Sequence, residues 1–527
     1  MKLLKSHITF CLFVLATFAS AQTVKIGMSS KTAQHSQIIS DLDGLFVRAL
    51  AEYNVPGMAV AIVKDGEVLL SKGYGVRLSG SEKRVDDNTQ FAIASNSKAF
   101  TSAALAILVD EGKIKWDDKV RTYLPYFELY SPYVSDAFTI RDLLCHRSGL
   151  ATFSGDLLWY GTAHSREEVI RRAKYLKPIY GFRESYGYSN IMFLAAGEIV
   201  AKVSGQSWDD FVKQHFFQPL GMTHSNTTVR DLKMDGNVAM PHNDVNGKNV
   251  AIDYVNWDNI NAAGSINSSV SDISNWIKLQ LGKGTFNGQK IWNEQRSYEM
   301  WENLTPKPVG KWQRENMPSR HFNGYGLGWD LMEYGGFKVI SHGGGYDGMI
   351  SKTVLVPELN LGFVILTNNI NSLPSCLTFE ILDEYCKIKD KKDWTAMFLG
   401  FKKDDEAAAK KMLEDEETAR NKDSKPSLPL SEYCGTYSSE MYGDVVIKSG
   451  NSDNLVIDFI PTALFKGTLD HWQYDTFQLS WTTQMMLPKG KATFVLDANG
   501  RPIELRVIVE NPDFDFTELV LKRNYDQ

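Results

Sequence analysis

Ser95 and Lys98 stand three residues apart in the stretch Phe91-Ala-Ile-Ala-Ser-Asn-Ser-Lys-Ala-Phe100. At the start of a helix that spacing puts both side chains on one face, with their tips within reach of each other. A serine hydroxyl is a poor nucleophile until a base takes its proton, and a lysine stripped of water in a cleft can be that base once neutral. The helix start also offers unpaired N–H groups, which favour the negative charge that builds on a carbonyl under attack. The chemistry this pair can do is acyl transfer through a serine. A bare Ser-x-x-Lys arises about once or twice by chance in a chain of this size, so the surrounding elements have to support it.

Several elements can be read around the pair. Residues 97–111 are rich in Ala and Leu and predict a helix stopped by Gly112. Apolar spacing predicts further helices over 38–53, over 191–203 before Gly205, and over 271–281 with Ser269 or Ser271 as cap. The runs 58–63 and 68–70 flank Asp65-Gly66 and predict a hairpin. Residues 337–340, 352–356 and 362–366 predict strands of an antiparallel sheet, with turns at 343–348 and 357–360.

With these in place, three ordered groups become informative: Ser95-Asn-Ser-Lys98, Tyr188-Ser-Asn190 and His342-Gly-Gly344. The chain resembles the serine β-lactamase and penicillin-binding-protein superfamily in its class C-like branch, over roughly residues 38 to 395. The stretches Thr139-Ile-Arg-Asp-Leu-Leu-Cys-His-Arg-Ser-Gly149, Pro219-Leu-Gly-Met-Thr223 and His342-Gly-Gly-Gly-Tyr-Asp-Gly348 agree with it. The resemblance implies an α/β (α+β) transpeptidase-like fold, an antiparallel sheet flanked by helices. It implies that Ser95 attacks a carbonyl, Lys98 takes its proton and the Tyr188 hydroxyl moves protons. Tyr188 acts as a base only if a cation, Lys98, holds its pKa below the usual value near 10. By the same resemblance Asn190 holds the substrate amide, and the N–H groups of Ser95 and Gly345 form the oxyanion hole.

The chain departs from many penicillin-recognising relatives at the third motif, where they carry Lys-Thr-Gly or Lys-Ser-Gly and this chain has His342-Gly343-Gly344. An imidazole is mostly uncharged near neutral pH and gives no permanent anchor for a carboxylate. The reading therefore turns toward a peptidase, amidase or esterase acting on cell-wall or D-amino-acid-containing substrates, with true β-lactamase activity as an alternative. A non-hydrolytic β-lactam or muropeptide binding protein is the rival from another class, and intact Ser95, Lys98, Tyr188 and Asn190 argue against it. His342, Gly344, Gly345 and Tyr346 are candidate substrate contacts. Trp257, Trp276, Trp301 and Tyr325 are assigned to the core, and His146 and Arg147 to shaping the domain. No metal-ligand spacing such as His-Glu-x-x-His is present, so neither a metal nor a cofactor is expected.

Lys2 and Lys5, an apolar run over 8–18 and Ala19-Ser20-Ala21 read as an export signal over 1–21, cleaved after Ala21. A periplasmic or secreted protein without a stable membrane anchor is expected. Four cysteines follow, Cys145, Cys376, Cys386 and Cys434; a Cys376–Cys386 bridge and free buried thiols are both open. A net charge of -6 without a basic stripe excludes nucleic acid as the partner and leaves a small-molecule or peptide substrate, peptidoglycan fragments included. Oligomeric state is not read.

At 527 residues more than one domain is expected. The hydrolase unit spans 22–400. Residues 401–426, dense in Lys, Asp and Glu, read as a solvated helical linker. Residues 427–527 carry short β-rich runs, at 444–447, 455–459, 476–481, 492–496 and 504–509, and fit a small all-β barrel, lipocalin-like, or a sandwich. This segment resembles an uncharacterised domain often appended to such hydrolases.

Overall fold

The structure, a computed structural model, describes residues 30–525 apart from 318, 452 and 483–486. The segment expected to be an export signal lies outside the described residues.

The central sheet has eight strands, all antiparallel: β1 (Gly57–Lys64), β2 (Glu67–Gly75), β3 (Thr305–Lys307), β4 (Asn323–Tyr325), β5 (Asp330–Tyr334), β6 (Phe337–Tyr346), β7 (Met349–Val356) and β8 (Leu361–Thr367), in the order β2-β1-β8-β7-β6-β5-β4-β3. The hairpin turn at Asp65 and Gly66 has φ of 54° and 84°, the left-handed pair that matches strand twist. Along β1, Met58, Val60 and Ile62 join one apolar cluster and Ala59, Ala61 and Val63 the other. Two-residue alternation thus feeds both faces of a sheet that is covered on both sides.

On one face lie α1 (Ser30–Glu52) and a later helix, Leu373–Tyr385; on the other lies the helical region. That region includes α2 (Ser97–Asp110), α3 (Asn190–Ser204) and α4 (Val270–Leu281). The stops follow the sequence reading: Gly112 and Gly205 have φ of 70° and 75°, and the Ser269 side chain caps α4 by accepting from the Asp272 N–H. We label Leu373–Tyr385 α5.

The glycine run expected as a turn at 343–348 is instead strand as far as Tyr346, and only Asp347 and Gly348 turn the chain. Glycine is used here for close approach. A Cβ on Gly344 would fall 2.2 Å from the Ile93 carbonyl oxygen.

The charged segment begins earlier than expected, as part of α6 (Trp394–Ala419), whose first turn is buried in the hydrolase unit and whose remainder is solvated. Beyond it, eight strands between Gly435 and Asn524 close a barrel, the strand Gly435–Ser439 pairing with Leu521–Asn524. This settles barrel over sandwich. The strands Gly435–Ser439, Lys466–Gln473 and Leu521–Asn524 escaped the sequence reading. All four cysteines are free thiols; the Cys376–Cys386 bridge is not formed.

The barrel is docked on the hydrolase unit. Glu518 accepts hydrogen bonds from the Ser154 hydroxyl and from the Gly155 N–H at 2.8 Å. Arg172 donates to the Met441 carbonyl at 2.8 Å, and Tyr160 packs on Phe514 with ring centroids 4.5 Å apart.

Trp394, 2% exposed, fixes the start of α6 by donating to Asp383 at 2.8 Å and packing on Phe379. Trp394→Ala is expected to cost about 3–5 kcal/mol, read as a lowered urea midpoint of the hydrolase unit.

Candidate active site

Ser95 sits in a single turn of 3-10 helix, Ala94–Asn96, that leads into α2. Ala94 has a φ of 45°, a left-handed conformation costly for a residue with a side chain, and such strain persists only where the surroundings over-determine it. The Ser351 hydroxyl on β7 accepts from Asn96 at 2.8 Å and donates to the Ile93 carbonyl at 2.7 Å, while the Ser97 hydroxyl donates to the Ala94 carbonyl. The turn is pinned to the sheet from both ends.

The Lys98 amine lies 3.0 Å from the Ser95 hydroxyl oxygen, 2.6 Å from Asn190 Oδ1 and 2.9 Å from the Ala263 carbonyl. Burial pulls its pKa down to about 7, against the opposing pull of Asp156. This geometry suits a neutral amine turned toward Ser95. Asn190 Oδ1 and the Ala263 carbonyl can only accept, so they hold both hydrogens of a neutral amine and leave its lone pair for the Ser95 hydroxyl.

Asp156 completes the arrangement and was missed by the sequence reading. It accepts from Asn190 Nδ2 at 2.7 Å and from Trp159 Nε1 at 2.8 Å, and burial raises its pKa to about 8. The Asn190 amide therefore bridges Lys98 and Asp156. It was expected to hold the substrate amide, and its oxygen is instead committed to the lysine. Only the order Gly155-Asp156 before Tyr188 could have hinted at this, and no spacing rule selects it.

Tyr188 reaches the cleft from the loop ahead of α3; its hydroxyl hydrogen-bonds with Ser95, and Lys98 lies 4.7 Å from its ring centre. Its pKa is raised by burial, not lowered by Lys98. The condition on which Tyr188 could act as a base is therefore not met, and burial favours its neutral phenol. His146 holds it in place: the imidazole packs 4.1 Å from the Tyr188 ring and accepts from the Ser189 N–H at 3.0 Å.

Two expected substrate contacts are reassigned. The His342 ring is 2% exposed, with Nε2 on the Tyr325 hydroxyl at 2.8 Å and Nδ1 on the Gly343 carbonyl at 2.6 Å. Burial lowers its pKa to about 3. It is a neutral imidazole with both nitrogens engaged, and it does not line the cleft. Gly344 faces Ile93 rather than substrate, as its missing Cβ shows. Gly345 and Tyr346 do line the cleft, together with Ser95, Tyr188 and Asn190. Trp257, assigned to the core from sequence, lines it too, its ring 4.7 Å from Tyr346, whereas Trp276, Trp301 and Tyr325 are core.

The cleft holds about 500 Å³, and one wall is the barrel, through Leu487, Asn511, Asp513 and Phe514. Among the described residues no group of three or more His, Cys, Asp or Glu is placed to hold a metal ion, and no helix is long and apolar enough to cross a membrane.

A sheet between helical layers, carrying a serine, a lysine one turn on and a phenol over both, defines the serine β-lactamase and penicillin-binding-protein class. The β-lactamase family model matches residues 42–375, and the chain belongs to that family of serine hydrolases. A domain of unknown function, DUF3471, matches residues 419–523. An unguisins hydrolase of Aspergillus campestris is 26% identical over 448 residues, 81% of each chain. Among solved structures, the octameric penicillin-binding protein homologue of Pyrococcus abyssi covers 90% of this chain and 98% of its own, with TM-score 0.59 and 22% identity. A class C β-lactamase covers 68% of this chain and 98% of its own, with TM-score 0.55 and 20% identity.

Two outcomes follow. The acid limb of kcat/KM should rise with an apparent pKa near 7 as Lys98 loses its proton. Asp156, its pKa raised to about 8 by burial, is mostly protonated at that pH, so Asp156→Asn should leave the limb near pH 7 in a pH–rate profile. Gly344→Ala should force β6 away from Ile93, cost about 1–3 kcal/mol and lower kcat, measured by thermal melting beside steady-state assay.

Proposed function

We propose that the protein is an exported serine hydrolase that cleaves an amide or ester through a Ser95 acyl-enzyme, as a peptidase, amidase or esterase on cell-wall or D-amino-acid-containing substrates. One observation carries the reading: a buried lysine whose neutral amine has both hydrogens taken by obligate acceptors and its lone pair left for Ser95.

Ser95 Oγ attacks the carbonyl carbon while its proton passes to Lys98, and the oxyanion forms against the N–H groups of Ser95 and Gly345. Tyr188 hands a proton to the leaving amine or alcohol and is reprotonated from Lys98. A water then attacks the acyl-enzyme by the same relay in reverse and releases the acid.

The substrate class is supported by the cleft and by the third motif. Aromatic walls from Tyr160, Trp257, Tyr346 and Phe514 suit an acyl group larger than a small ester. A neutral, inward His342 withholds the cation that penicillin-recognising relatives place on this strand, which favours an amide or ester other than a β-lactam. Hydrolysis is supported by the relative named for it in Aspergillus campestris. Export to the periplasm or medium rests on Lys2, Lys5, the apolar run over 8–18 and Ala19-Ser20-Ala21.

A fluorophosphonate should label the mature protein and not its Ser95→Ala variant, and an ester and amide panel should be turned over. A fluorescent penicillin is the parallel probe. Absence of Ser95-dependent labelling by both would overturn the reading, and stable labelling without turnover of any substrate would make the protein a binder.

A further inference from the structure

We propose that a second cavity, on the α5 side of the sheet and sharing Asp330 and Lys352 with the catalytic cleft, binds a carboxylate carried by the substrate. The inference rests on the hydrolase reading and names a feature of its substrate.

The cavity holds about 170 Å³ and is lined by three cationic side chains, Lys307, Arg320 and Lys352, against one carboxylate, Asp330. Asp330 and Lys352 also line the cleft that contains Ser95, so the two spaces share a wall there. The strand register explains how. Asp330 pairs with Ser341 and Gly343 with Lys352, which sets these residues on one face of three neighbouring strands. Gly343 keeps the passage open, because a Cβ there would lie 3.9 Å from Lys352 Cδ and a longer side chain would occupy the space between cleft and amine.

The charges do not balance. Asp330 is committed to an ion pair with Lys307. Arg320 donates to Asn323 Oδ1 at 2.5 Å and approaches Met317 Sδ at 3.3 Å, and both partners are neutral. The Lys352 backbone is paired in the sheet, but its amine has no hydrogen bond or ion pair among the described residues. Had these cations served only to neutralise Asp330, one would suffice. The same crowding acts on the Lys352 pKa: burial lowers it, Asp330 raises it, and Lys307 and Arg320 lower it further. An anion between Lys352 and Arg320 relieves that repulsion and satisfies donors that are now idle. The cation that is absent from β6, where His342 is neutral, is thereby supplied from β7.

The test uses the full-length Ser95→Ala chain titrated with glutarate by calorimetry, so that binding is read without turnover. Lys352→Met should weaken glutarate by at least about tenfold, and Lys352→Arg should restore most of it. Asp330→Asn, which removes the single competing carboxylate, should tighten it, an effect that a purely structural role for Asp330 would not produce. In the Ser95 enzyme, the ratio of kcat/KM for para-nitrophenyl hydrogen glutarate to that for para-nitrophenyl butyrate should fall about tenfold in Lys352→Met. Hydrolysis of both esters with glutarate binding absent or indifferent to Lys352 overturns the carboxylate site and leaves the hydrolase standing. Glutarate binding that follows Lys352, with neither ester hydrolysed, supports the site and overturns the hydrolase.

Discussion

The structure is organised around one amine taken out of water. A lysine in a dry interior is unstable as a cation, and the chain surrounds Lys98 with acceptors that tolerate either protonation state while favouring neither strongly. Its pKa near 7 follows from that compromise. The other constraints serve it: α3 brings Asn190, the turn Asn261–Gly264 brings a carbonyl, and the bend at Gly155 brings Asp156, which accepts from the Asn190 amide.

The same constraint ties the barrel to the chemistry. Glu518 grips Ser154 and Gly155, the residues immediately before Asp156, and Asp513 and Phe514 close the cleft beyond it. The C-terminal domain is part of the wall and part of the support of the site. A substrate meets surfaces from both domains, which couples its selection to their docking.

How much of this could be read in the chain beforehand depends on the range of the forces involved. The Asp65-Gly66 turn, the stops at Gly112 and Gly205 and the cap at Ser269 are local, and each is legible because a few neighbouring residues decide it. The run Gly343-Gly-Gly345 misleads for the same reason: read locally it is a turn, yet contact with Ile93 from another element makes it strand. Three barrel strands were hidden because their alternation is weak, and two of them, Gly435–Ser439 and Leu521–Asn524, pair with each other across the whole length of the barrel segment.

The residue types and the three-residue spacing by themselves determined that Ser95 and Lys98 would be neighbours, since helix geometry needs no help to bring such a pair together. They also determined the family, through the order of three short groups. Only the tertiary structure decided the burial and partners: that the Tyr188 phenol is buried and held neutral, that His342 looks inward, that Asn190 bridges to Asp156, and that cations collect behind Gly343. Each of these depends on burial and on partners brought in from other elements, as Tyr325 is to His342, Asp156 to Asn190 and Asn190 to Lys98. Desolvation and long-range hydrogen bonding are properties of the packed interior, and sequence spacing does not encode them.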